Sequence, residues 1–187
     1  MAQSIANKRS RLKIPPTLGF SAGFAAFAIV VYAIAGGIWA FWRPTMQGIV
    51  EEQGVRVVSG AEAQADTYFS FAALTAVLAL PLAMWFFYRF PSLRKGYFLV
   101  WWAGIFNGIG AVAFYLAGAG VVSYLHPMPH GEKLTNAVGD SIEFAPNFSP
   151  GIALALAPLI ATFVVWSAVF VYLPEENAGD EVNISKM

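Results

Sequence analysis

Hydrophobic and polar positions along this chain segregate into long blocks. Four stretches, about Leu18–Phe41, Tyr68–Phe87, Tyr97–Tyr124 and Ile152–Leu173, make up about half of its 187 residues and contain no Asp, Glu, Lys, Arg or His. Each reaches the ~20 residues that a helix needs to cross ~30 Å of hydrocarbon. A water-soluble helix would carry a polar stripe; here Ala, Leu, Val, Ile, Phe and Gly occupy every side. Such a helix satisfies its own backbone while its surface meets lipid or another helix. The pattern therefore predicts an all-α membrane protein with four transmembrane helices, set between a basic N-terminal segment (1–17) and an acidic tail (174–187). Two extracytoplasmic loops, about 43–67 and 125–150, join the helices.

Both loops are long against the usual 2–8-residue connection between helices. The run from Ile49 to Gly60 places two β-prone segments about Gln53-Gly54, which predicts a short β-hairpin lying on the membrane surface. The second loop opens on His126-Pro127-Met128-Pro129-His130-Gly131 and closes on Phe144-Ala145-Pro146-Asn147-Phe148. Its prolines end the third helix, and the remainder reads as irregular. The tail, with Glu175, Glu176, Asp180 and Glu181, reads as mostly disordered.

Charge in the connections sets an orientation. Lys8, Arg9, Arg11 and Lys13 precede the first span, and Arg89, Arg94 and Lys95 fill the turn between the second and third. The other two connections carry only Arg43, Arg56 and Lys133 as basic residues. The bias places both termini in the cytoplasm of a bacterial plasma membrane, with the acidic tail carrying little weight. A cleaved signal peptide fits less well, because the first span is too long and ends in bulky Trp39, Phe41 and Trp42.

Within the spans the informative residues are small or polar. Gly19 and Gly23, and Gly104 and Gly108, have the four-residue spacing that lets helices approach closely, either within the bundle or against a partner. Asn107 in the third span is expected to hydrogen-bond across to another helix or to a backbone carbonyl. Pro81 and Pro158 are expected to kink their helices. Trp39, Trp42, Trp85, Trp101 and Tyr172 fall near span ends, where amphipathic rings anchor at headgroups. A faint repeat is also present. The first and third spans both run into a basic or His residue followed by Pro, Arg43-Pro44 and His126-Pro127.

Little in the composition suggests chemistry. With no Cys there is no thiol catalysis and no iron–sulfur ligation. Zero formal net charge offers no basic surface for nucleic acid. His126, His130 and Glu132 share a loop, but the intervening prolines prevent a helical i, i+4 pair and no third nitrogen ligand exists, so a solvated loop is expected. Haem and proton relays usually need ligands or ionisable groups inside the bundle. The carboxylates Glu62, Asp66, Asp140 and Glu143 are expected to be solvated or to cap helices. No cofactor, metal or catalytic residue is predicted.

The run Ala35-Gly36-Gly37-Ile38-Trp39-Ala40, then Arg43-Pro44, a Val-rich hairpin, Glu62 and Asp66-x-x-Phe69 is followed by Arg94-Lys95-Gly96, a Gly-rich third span and a last helix begun after a Pro-containing loop. Over about residues 25–173 this progression resembles the small four-helix actinobacterial membrane proteins catalogued as domain of unknown function 2567. The aromatic run Trp85-Phe86-Phe87-Tyr88 and the Pro-His-rich second loop depart from that pattern. The resemblance brings no catalytic residues. In size and topology the chain is also similar in class to accessory subunits of the actinobacterial cytochrome bcc–oxidase supercomplex. The expectation is a non-catalytic accessory or assembly subunit, in contact with membrane lipids and other integral membrane subunits. The alternative is a cell-envelope factor that binds a lipid or glycolipid between its helices.

Overall fold

The computed structural model describes residues 16–52, 54–60, 62–91, 97–127, 138–146 and 148–184. Four helices lie on the four apolar stretches: α1 (Pro16–Trp39), α2 (Ala63–Arg89), α3 (Phe98–Leu125) and α4 (Leu156–Ile184). All four are long and apolar enough to cross a membrane, by length and composition. The bundle is built chiefly by α1 against α3, α3 against α4 and α4 against α2.

The α1–α3 contact is the tightest, and three glycines explain it, two lying against rings and one against backbone. A Cβ on Gly110 would lie 2.3 Å from the Tyr32 ring, one on Gly36 would lie 2.2 Å from the backbone oxygen of Phe114, and one on Gly118 would lie 3.0 Å from the Trp39 ring. Gly110, Phe114 and Gly118 recur every four residues and so share one face of α3. Glycines on both helices thus let the two backbones approach closely.

Above this seam Tyr32, Asn107 and Thr75 form a buried polar cluster. The Tyr32 hydroxyl donates to Asn107 Oδ1 at 2.9 Å and reaches the Thr75 carbonyl at 3.4 Å, while Asn107 Nδ2 donates to the Ala103 carbonyl at 2.9 Å. Asn107 thus does both things expected of it, tying α3 to α1 and to its own backbone. Aromatic rings fill the rest, with Phe24, Phe86 and Phe106 toward one end and Trp39, Phe71, Phe114 and Phe148 toward the other.

A three-stranded antiparallel sheet caps the second end, in the order β2 (Gly54–Ser59), β1 (Met46–Glu51), β3 (Ser141–Phe144). The expected hairpin is present, with Glu51 opposite Gly54. The central strand turns Met46, Gly48 and Val50 inward, and Met46, Phe144 and Ala63 of α2 pack together beneath it.

Three expectations are corrected. The second loop contains a strand, because Ser141–Phe144 pairs along the free edge of β1 and buries Phe144 in the cluster that β1 and α2 leave open. The acidic tail is helical to Ile184: α4 runs on through Pro174, and Glu175, Glu176, Ala178 and Glu181 beyond it are helix formers. Pro158 is the third residue of α4, where a missing N–H breaks no intrahelical bond, so no kink is required there. Pro81 does lie inside its helix.

Candidate anion pocket at the sheet-capped end

Two residues that precede prolines build this site. After α1 a single turn of 3-10 helix (Ala40–Trp42) leads to Arg43, whose backbone is extended at φ −66°, ψ 127°. Pro44 imposes this, since its ring disfavours the α conformation in the residue before it. At the end of α3 the same rule acts on His126, at φ −127°, ψ 68°, while its N–H closes the helix on the Val122 carbonyl at 2.8 Å. The chain leaves both helices abruptly, and the two side chains line one cavity.

That cavity has a volume of about 420 Å³ and is lined by Arg43, Tyr115, Ser123, His126, Pro146 and Phe148, among others. Arg43 is only 8% exposed. Its Nη2 donates to the Pro146 carbonyl, and its guanidinium carbon sits 5.6 Å from the Trp39 ring centroid and 5.5 Å from that of Phe148. Its Nε is buried and has no partner among the described residues, and the same is true of His126 Nδ1. Tyr115 donates to the Phe148 carbonyl at 3.2 Å and Ser123 to the Ala119 carbonyl at 2.8 Å, so both hydroxyl protons are already committed.

Burial lowers the Arg43 pKa below its ordinary value, and the nearby Tyr115 opposes this. A guanidinium stays charged even so. Among the described residues no carboxylate lines the cavity. The ion pair of Arg56 with Glu51, at 2.6 Å, lies out on the exposed hairpin. Among the described residues, this buried cation meets two ring faces and one carbonyl and no carboxylate. The described lining, with a cation, an imidazole and no acid, is one that attracts an anion. It offers no base paired with a nucleophile, and no group of three His, Asp or Glu gathers for a metal among the described residues.

The residues singled out for packing fall in different places. A Cβ on Gly104 would meet Thr162 Oγ1 of α4 at 2.6 Å, and one on Gly108 would touch Pro158 at 3.7 Å, so both face α4. Gly23 is exposed, and among the described residues nothing lies within 4 Å of where its Cβ would be. Gly19 lies in the first turns of α1, and its surroundings fall outside the described residues.

Among the aromatic anchors, Trp42, Trp85, Trp101 and Tyr172 are exposed. Trp39 is instead a core residue. It is 4% exposed, its Nε1 donates to Ser70 Oγ at 3.1 Å, and it packs on Phe71, Phe114 and Phe148. The last turn of α1 points it toward α2 and α3, which removes it from the rim.

His126 is also corrected. It belongs to the end of α3 and faces the cavity, and is not a solvated loop residue. His130 and Glu132 lie outside the described residues. The sequence signal for the site was the paired Arg43-Pro44 and His126-Pro127, whose meaning depends on α1 and α3 ending side by side. No family model, no curated protein and no solved structure matches this chain.

Proposed function

We propose that this chain is a multi-pass protein of the bacterial plasma membrane, with both termini cytoplasmic, that binds an amphiphile without transforming it. The bound molecule is a lipid or glycolipid whose head enters the cavity at the sheet-capped end while its tail lies along the bundle. One observation carries this reading: among the described residues, Arg43 Nε and His126 Nδ1 are buried without a hydrogen-bond partner, and their side chains line one cavity to which no carboxylate contributes. An unmatched buried cation is costly, and a ligand of opposite charge offsets that cost. The rim supports an amphiphile as the source, since Trp42, in the 3-10 turn just before Arg43, and Tyr124, in the last turn of α3, are 77% and 86% exposed, as rings at headgroup depth are.

Purification in a mild detergent followed by native mass spectrometry and lipid extraction tests the reading. It requires an adduct close to one per chain, released by harsher detergent. Wild-type protein that carries no amphiphile, and takes none up from added lipid, would sink it.

A second reading, the non-catalytic accessory subunit of a respiratory supercomplex, draws on the outer face of α4. There Phe163, Trp166 and Phe170 form a ladder of exposed rings with centroids 6.3 and 5.8 Å apart. Together with the open notch at Gly23, this ladder would suit a partner helix. Recovery of oxidase subunits with the tagged chain, lost on Trp166→Ala, would favour that reading.

A further inference from the structure

The donors left over in the cavity specify more than an amphiphile. We infer that the Arg43 cavity is a receptor for an oxyanion, and that a phosphate ester is the group it takes; this rests on the cavity of the proposed function but does not require the ligand to be a lipid.

A guanidinium has five N–H donors in a planar fork. Among the described residues only the bond to the Pro146 carbonyl is made, and Nε is left unpaired in a site that excludes water from it. The ring faces of Trp39 and Phe148 hold the plane of the fork without consuming its donors. His126 lines the same cavity with a second unpaired ring nitrogen. The Tyr115 and Ser123 hydroxyls have given their protons to backbone carbonyls, so they add no further donors for a ligand.

The unfilled part of the guanidinium fork favours a ligand that accepts hydrogen bonds and carries negative charge. A phosphate ester presents several anionic oxygens to a fixed fork, the pairing for which arginine is favoured over lysine. The cavity's volume of about 420 Å³ leaves room for such a group beside the fork.

The test uses the full-length protein in a neutral maltoside detergent with two probes, inorganic phosphate and dodecyl phosphate, titrated by calorimetry. Wild type should bind at least one of them, Arg43→Gln should bind it at least tenfold more weakly, and Arg56→Gln on the exposed hairpin should match wild type. Arg43→Lys keeps the charge but loses the fork, and should fall between. In case Arg43→Gln does not fold, wild-type protein is treated with phenylglyoxal, and modification of the Arg43 peptide is read by mass spectrometry. The bound probe should protect Arg43 severalfold.

Binding of dodecyl phosphate that needs Arg43 supports both this inference and the amphiphile reading. Binding of inorganic phosphate with no gain from the alkyl chain supports the oxyanion site and removes the amphiphile. A co-purifying neutral lipid whose retention ignores Arg43 overturns the oxyanion site and leaves the amphiphile standing. Absence of binding and of protection with both probes overturns the inference.

Discussion

Gly36→Ala is the sharpest test of how the bundle is held together. The added methyl carbon would sit 2.2 Å from the Phe114 carbonyl oxygen and 2.8 Å from that residue's Cα and carbonyl carbon, all backbone atoms. A side chain can rotate away, but backbone can move only if α1 and α3 separate. Separation also withdraws Tyr32 from Gly110 and Trp39 from Gly118, the pairings on either side. Overpacking of a well-filled core costs about 1–3 kcal/mol, with backbone clashes at the upper end. Against this, Ala is favoured over Gly in a helix by about 1 kcal/mol. The net expectation is a loss of about 1–2 kcal/mol by these two terms. Gly23→Ala and Gly120→Ala are the controls, because neither would meet anything within 4 Å and each should gain from propensity alone. Thermal unfolding in a single detergent, followed by intrinsic tryptophan fluorescence and by size exclusion after heating, ranks the three. Gly36→Ala should melt below wild type and the controls at or above it. If Gly36→Ala melted with the controls, the close α1–α3 seam would be refuted.

Tyr32→Phe removes the donor to Asn107 Oδ1 and leaves a buried acceptor unsatisfied, a loss of about 1–3 kcal/mol. Asn107→Ala alone should also destabilise. In the double variant the two losses should not add, and additivity in a thermal cycle would show that the hydroxyl and the amide act independently. Gly104→Ala should destabilise more than Gly108→Ala, because the first methyl would meet Thr162 Oγ1 at 2.6 Å and the second only makes ordinary contact with Pro158; equal melting points would count against α3–α4 packing at Gly104. For orientation, the Cys-free background allows single cysteines to be read cleanly. Ser59→Cys should react with an impermeant maleimide from outside and Ser92→Cys should not, and labelling of the latter in intact cells would invert the topology.

What the sequence made legible follows from which interactions are local. The four long helices could be read because an apolar block of about twenty residues without charge favours a helix that satisfies its own backbone. The β1–β2 hairpin could be read because both strands and their turn lie within one short run. The strand Ser141–Phe144 could not, since its partner is nearly a hundred residues earlier and its own four residues carry only a weak alternation. The same distinction divides the glycines. A four-residue spacing marks a possible notch, but whether a notch is filled depends on the facing helix. Gly104 has Thr162 opposite it and Gly23 has nothing, while Gly36, Gly110 and Gly118 acquire their role from Phe114, Tyr32 and Trp39.

The pocket is the limiting case of that argument. Arg43-Pro44 and His126-Pro127 were visible as a pair, and local sterics fixed what each would do to its own chain. Each proline ends a helical path and turns the preceding side chain away from the helix axis. What no local rule supplied was that α1 and α3, the most closely packed pair in the bundle, end at the same height, and that closeness is the work of Gly36, Gly110 and Gly118. The glycine seam and the cavity are therefore linked. The notches that bring the helices together also bring Arg43 and His126 to one cavity, so a substitution that opens the seam should weaken ligand binding even though it touches no residue of the pocket.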